Sequence, residues 1–237
     1  MLKKLIAALL FVCPLVFANW DGSVKKPAIR EIDGKEFYEI ATPENLAWFA
    51  VNVGKGNLDY NAILTNDIVV WEDSVGSETI EWTPIAYNDS SDTVGYKGIF
   101  DGNGHKISGV YVPPKKYDRS GFFAIIGRGG VVKNLTIENA WIQGLLKSNS
   151  ITGGIVGYFY GDSIVNCEFH GTVKDVYVGG IAGWFEKPYI GSRRENGSYV
   201  PMYAGGTIRN SRNYGKVVAL NFGGGIASVA RSGRAHV

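Results

Sequence analysis

Four carboxylates and two histidines are the side chains best suited to chemistry in this chain: Asp67, Asp101, Asp162 and Glu168, with His105 or His170 as a basic partner. Glycoside cleavage needs either a pair of carboxylates or a carboxylate-held cation beside a base, so these types could serve a glycosidase or a polysaccharide lyase. Their immediate neighbours point to plainer roles. Asp101 opens the turn Asp101-Gly102-Asn103-Gly104, and Asp162 follows Gly161. Both are residues that tolerate tight turns. Glu168 and His170 alternate with Cys167 and Phe169, which places the charged pair on the solvent side of a strand. No Ser-His-Asp signature, no His-Glu-x-x-His and no phosphate-binding loop is present. The oxygen-rich stretches 88–92 and 101–104 follow neither the EF-hand spacing nor the glycine–aspartate nonapeptide. No catalytic residue, metal site or cofactor is therefore assigned, and the reading leans away from an enzyme.

The second set of interest is aromatic. Tyr158, Phe159 and Tyr160 follow Gly157, and Trp184 and Phe185 follow Gly183; Trp141 lies just upstream. If the two glycines occupy equivalent places in stacked units, these rings form a strip. An exposed strip would hold sugar rings or a protein partner, and a buried one would be packing.

Positioning these residues falls to a chain that repeats itself. Gly154-Ile155-Val156-Gly157 recurs as Gly180-Ile181-Ala182-Gly183, more loosely as Gly121-Phe122-Phe123-Ala124 and Gly225-Ile226-Ala227-Ser228. A β-branched residue, any residue and asparagine recur as Val132-Lys133-Asn134, Ile164-Val165-Asn166 and Ile208-Arg209-Asn210. The asparagines are 32 and 44 residues apart (166 − 134 and 210 − 166), and residues 187–203 account for the longer step. Repeats of this size with constant strands and variable loops predict an all-β solenoid, a parallel β-helix, in which each coil buries its apolar face only against its copies. Stacking would bring the asparagines into a column and place glycine where coils approach closely.

Upstream, Thr42-Pro43-Glu44 reads as a helix start, with Thr42 as N-cap and Pro43 in the first position. Leu46, Trp48, Phe49, Val51 and Val53 follow, the first four close to helical spacing, and Gly54 and Gly56 end the run. This one helix is placed as a cap on the first coil, whose open edge would otherwise invite aggregation. Residues 61–71 are read as one strand, and residues 19–35 as a polar lead-in.

These repeats resemble the GLUG-motif repeats of secreted bacterial surface proteins, carried by Gly154 to Gly157, Gly180 to Gly183 and the preceding segment Gly98 to Gly109. The resemblance covers most of the chain and implies a β-helical surface module linked to adhesion or to extracellular enzymes. It brings no catalytic residues with it. The expected organisation is a signal peptide over 1–18, the lead-in over 19–35, a cap region over 36–95 and repeats over 96–237, with the pattern breaking off near the C-terminus.

Totals bound the function. A basic start, an apolar run over 5–17 and Val16-Phe17-Ala18 predict a cleaved secretory signal rather than a membrane span. Cys13 raises the alternative of a lipid anchor. Without Lys3 and Lys4 the 24 basic residues fall to 22, against 22 acidic ones. A neutral chain has no field for nucleic acid. Without Cys13 only Cys167 remains, so no internal disulfide is possible, and its alternating context predicts a buried small hydrophobe. The expectation is a secreted or cell-surface module, without a transmembrane segment, that binds a polysaccharide or a surface protein. The competing expectation is a fragment of an extracellular polysaccharide-active enzyme.

Overall fold

The structure is a computed structural model that describes residues 19–75, 79–87, 94–187, 189–203 and 205–231. The expected signal peptide, Cys13, the 88–92 turn and the residues after 231 lie outside the described residues. The fold is all-β with a single helix among the described residues.

Three sheets are built mainly by parallel pairing between successive passes of the chain. The first runs, in order, through Ala28–Ile32, Lys35–Ile40, Asn61–Leu64, Ile99–Asp101, Val131–Lys133, Ser163–Val165 and Thr207–Arg209. Val131 pairs with Ile99 on one side and Ser163 on the other, a step of 32 residues each way. Ser163 pairs with Thr207, a step of 44. The extra residues leave the stack as an antiparallel hairpin, Tyr189–Glu195 with Ser198–Tyr203. The second sheet centres on Glu168–Gly179, which pairs with Thr136–Gln143 and Ile151–Gly153 on one side, and with Arg212–Asn213 and Lys216–Gly224 on the other. The third stacks Phe123–Ile126, Val156–Phe159, Ala182–Glu186 and Ala227–Arg231.

The pairing puts like residues above one another. Phe100, Val132, Ile164 and Ile208 form one column, and Ile68, Ile107, Ile137 and Phe169 another. All of these but Ile208 are buried, and Ile208 packs against the core. Each fully buried side chain of this size removes enough apolar surface to contribute about 1.5–3 kcal/mol before entropy is counted. All four copies of the glycine motif lie in one register, since Phe123, Val156, Ala182 and Ala227 are successive partners. The backbones are joined by Phe123 N–H to Ile155 O (2.8 Å), Ile155 N–H to Ile181 O (3.0 Å) and Ile181 N–H to Ile226 O (3.0 Å). Glycine is required here by space: a Cβ on Gly154 would stand 2.3 Å from Gly180 O, and one on Gly180 2.1 Å from Gly225 O.

Asparagine recurs for a different reason. Asn103, Asn134, Asn166 and Asn210 have φ of 52°, 54°, 54° and 50°. This left-handed conformation turns the chain between the first and second sheets, and asparagine adopts it more readily than other residues with a side chain beyond glycine. Asn134 Nδ2 donates to Asp101 Oδ1 at 3.0 Å and Asn166 Nδ2 to Asn134 Oδ1 at 3.0 Å, so the corner residues are tied from pass to pass.

Two local expectations are corrected. Residues 61–71 form two short strands, Asn61–Leu64 and Ile68–Val69, which belong to different sheets. Apolar residues on both parities were the trace of that corner. Residues 19–35 are also not a plain lead-in. Trp20 is buried, with its backbone N–H donating to Val70 O at 3.0 Å, and Ala28–Ile32 pairs antiparallel with Lys35–Ile40 at the edge of the first sheet. The helix α1, Pro43–Gly54, starts at Thr42, whose side chain accepts from Asn45 N–H. Its Phe49 meets Tyr96 and Phe100 with ring centroids 6.1 and 5.8 Å apart.

The two roles of asparagine can be separated. Asn166→Ala keeps a left-handed residue with a Cβ and loses the side-chain bond, and is expected to lower stability by about 1–2 kcal/mol in urea unfolding. Asn166→Gly relieves the conformational part and should cost less. Equal losses for both would show that the φ requirement is not what places asparagine there.

Candidate functional site

The aromatic residues nominated from sequence do not form one strip. Alternation in a strand sends successive side chains to opposite faces. Phe159 is therefore fully buried and stacks inside on Phe185 at 5.6 Å, while Tyr158 and Trp184, paired in register, face outward. Phe159 and Phe185 are packing residues. Trp141 stands in the second sheet beside Tyr111 and Thr172, away from the others. Tyr160 lies 5.5 Å from Tyr158, centroid to centroid, and its ring covers Gly127.

Tyr158 and Trp184 line a groove of about 530 Å³, together with Asp118, Arg119, Asn149, Ile151, Tyr177 and Glu186. Its walls come from two sheets. Tyr158, Trp184 and Glu186 belong to the third. Arg119, Ile151 and Tyr177 are successive register partners in the second, and Phe222 continues that column. Tyr177 meets Trp184 edge-on at 6.0 Å and stacks on the half-exposed Phe222 at 5.4 Å. The Arg119 guanidinium lies 5.7 Å over the Tyr158 ring, and its Nη1 donates to Asp118 Oδ2 at 3.0 Å. The Tyr158 hydroxyl donates to Glu186 Oε2 at 2.6 Å. Burial, and then this bond to a carboxylate, raises the Tyr158 pKa, so the hydroxyl stays a donor at neutral pH.

A buried carboxylate that sequence reasoning passed over holds one wall in place. Asp175 is 0 % exposed. It accepts from Thr152 Oγ1 (2.7 Å), Leu146 N–H (3.1 Å), Val176 N–H (2.8 Å) and the Ser150 hydroxyl. These donors bracket the 144–150 loop that interrupts the second sheet, and they fix Asn149 and Ile151 at the groove. A Cβ on Gly144 would stand 1.8 Å from Asp175 Oδ2, so this glycine admits the carboxylate. In the sequence, Asp175 lies in Val173-Lys174-Asp175-Val176, and its shared parity with the apolar Val173 was the one signal that it points inward.

The carboxylates proposed for chemistry are dispersed instead. Asp67 faces His105 Nδ1 at 3.0 Å and accepts from Lys106 N–H, and that backbone bond, with His105 adding to it, holds its carboxyl below the ordinary range. Asp101 accepts from Asn103 N–H and Asn134 and pairs with Lys133. Asp162 accepts from Gly129 N–H. Glu168 contacts His170 (3.3 Å) and Arg212 (3.2 Å) on the outer face of the second sheet, and these bonds, His170 first, lower its pKa. Both lowered carboxyls contribute stability above the ordinary carboxylate range that is lost as pH falls through their folded values, and surface exposure keeps that contribution small. None of the four borders the aromatic groove. Among the described residues no group of three or more His, Cys, Asp or Glu could hold a metal ion. No helix of the described residues is long and apolar enough to cross a membrane.

No family model matches the chain. It is 37% identical over 89 residues to halomucin of Haloquadratum walsbyi, an overlap of 37% of this chain and 1% of that protein. It is 25% identical over 146 residues to a Gly-rich membrane protein of Evansella cellulosilytica, covering 62% of this chain and 15% of the relative. The chain thus spans a small part of either relative. No solved structure matches.

Two measurements test the site's construction. Asp175→Ala strands four donors in the interior and is expected to cost at least about 3 kcal/mol, with new protease cleavage in 144–150. Stability within about 0.5 kcal/mol of the parent would overturn the anchoring role. Cys167 is fully buried, and burial pushes its thiol up to about 12. Below that pH the thiol stays protonated, so the folded protein should resist a thiol-specific disulfide reagent at pH 8 and react only once unfolded.

Proposed function

We propose that the chain is a parallel β-helix of GLUG-like repeats, closed at its N-terminal end by α1, that acts outside the cell or on its surface as a non-catalytic binding module. Parallel in-register pairing of successive passes in all three sheets, with steps of 32 residues from Ile99 to Val131 to Ser163 in the first, supports the solenoid reading, and the in-register glycine motifs support the kinship. A likeness to a protein named for a membrane, and to one named halomucin, supports the surface reading without naming a ligand.

The groove carries the binding proposal. Tyr158, Tyr177 and Trp184 are partly exposed rings, set among Asp118, Asn149 and Glu186 in the same groove. Ring faces take the apolar sides of a sugar, and carboxylate and amide groups take its hydroxyls. Because the two walls are columns of successive rungs, about 4.8 Å apart, the groove extends along the stack. That shape fits a linear polysaccharide better than a single sugar. The two carboxylates, Asp118 and Glu186, keep the enzymatic alternative open to test, although each already has a partner within the groove.

Purified protein should be retained by one or more insoluble polysaccharides without releasing soluble sugar. Trp184→Ala and Tyr177→Ala should each weaken retention at least about tenfold, the scale of a binding hot spot. Tyr214→Ala, exposed between the second-sheet strands Arg212–Asn213 and Lys216–Gly224 and outside the groove, should not. Release of oligosaccharide would sink the non-catalytic reading, and retention indifferent to Trp184 would move the site elsewhere.

A further inference from the structure

We propose that the groove selects an uncharged glycan and rejects acidic ones, an inference that rests on the binding role given above. Its lining holds three charged residues, Asp118, Arg119 and Glu186, for a formal charge of −1. The signs are not equally accessible. The Arg119 side chain is only 16 % exposed, whereas that of Asp118 is 51 % exposed. Arg119 is enclosed by its own partners: Nη1 donates to Asp118, and the guanidinium lies over the Tyr158 ring. Reaching a uronate or sulfate would mean leaving both. Glu186 has one oxygen engaged by the Tyr158 hydroxyl at 2.6 Å, which orients the carboxylate and leaves the second oxygen as an acceptor. Lys147 and Lys187 are near the groove in sequence, but neither belongs to its lining.

The groove therefore offers acceptors and aromatic faces, with its cation withdrawn. Sugar hydroxyls donate to carboxylates, and the C–H faces of neutral sugars rest on aromatic rings without ionic compensation. An acidic sugar in the same place would set its carboxylate against Asp118 or Glu186 at short range, where like charges repel.

Affinity gel electrophoresis with matched polymers decides the point. Hydroxyethyl cellulose and carboxymethyl cellulose share a backbone and differ in charge; a neutral mannan and polygalacturonate extend the comparison. The expected result is Trp184-dependent retardation by a neutral polymer, with its acidic counterpart at least tenfold weaker at low salt. The gap should narrow at high salt and in the Asp118→Asn, Glu186→Gln double variant. Trp184-dependent retardation as strong or stronger by an acidic polymer overturns the selectivity while leaving the binding role intact. Retardation of no polymer in a Trp184-dependent way overturns the binding role, and the selectivity with it. Circular dichroism of each variant establishes that it is folded before it is scored.

Discussion

Everything in this molecule depends on one requirement: each pass of the chain must satisfy its backbone on the pass before and the pass after. A strand of three or four residues, such as Val131–Lys133, has no stability alone. Placed between Ile99–Asp101 and Ser163–Val165 it gains two ladders and a covered apolar face. The requirement reaches down to single atoms. Where passes come closest, at the glycine motif, a side chain would occupy the position of the next pass's carbonyl, so glycine is fixed by sterics. Where the chain must reverse handedness to enter the next sheet, asparagine combines a tolerated left-handed backbone with a side chain that bonds the neighbouring corner.

The outer surface inherits this order. Side chains on a rung are copied in position, if not in type, on the next, so a feature on one pass becomes a column. Lys106, Thr136, Glu168 and Arg212 make a polar column on the second sheet. Arg119, Ile151, Tyr177 and Phe222 make a mixed one. Where the second column meets Tyr158 and Trp184 of the third sheet, a groove appears that no single repeat contains. The interior follows a different rule, in which size is traded between levels: Phe100 is followed by Val132, and the aromatic cluster of Phe49, Tyr96, Phe100, Phe122 and Phe123 lies beside α1.

Much of the local structure was legible because the repeats are read by comparison within the chain. The asparagine spacing, the helix start at Thr42 and the burial of Cys167 came from patterns that need no tertiary knowledge. The groove did not. Tyr158 and Phe159 are adjacent in sequence, and only the face each strand presents separates a wall residue from a core residue. Arg119 and Tyr177 lie 58 residues apart (177 − 119) and share one column, two levels apart with Ile151 between them. Asp175 looked like an ordinary charge because three of its four donors, Leu146, Ser150 and Thr152, lie 23 to 29 residues away in sequence and reach it only through the pairing of the second sheet. The opening hairpin was within reach: Asp33 and Gly34 have φ of 50° and 74°, and an Asp-Gly pair between two strands is a hairpin signal.

The hairpin at 189–203 has a consequence for how such a chain can change. Twelve residues beyond the common step (44 − 32) are accommodated between Ser163 and Thr207 without disturbing their pairing. The stack thus separates what must be copied from what can be exchanged. A corner that accepts one β-ribbon is a place where other segments could be grafted, and the rungs on either side would serve as a fixed frame for interchangeable parts.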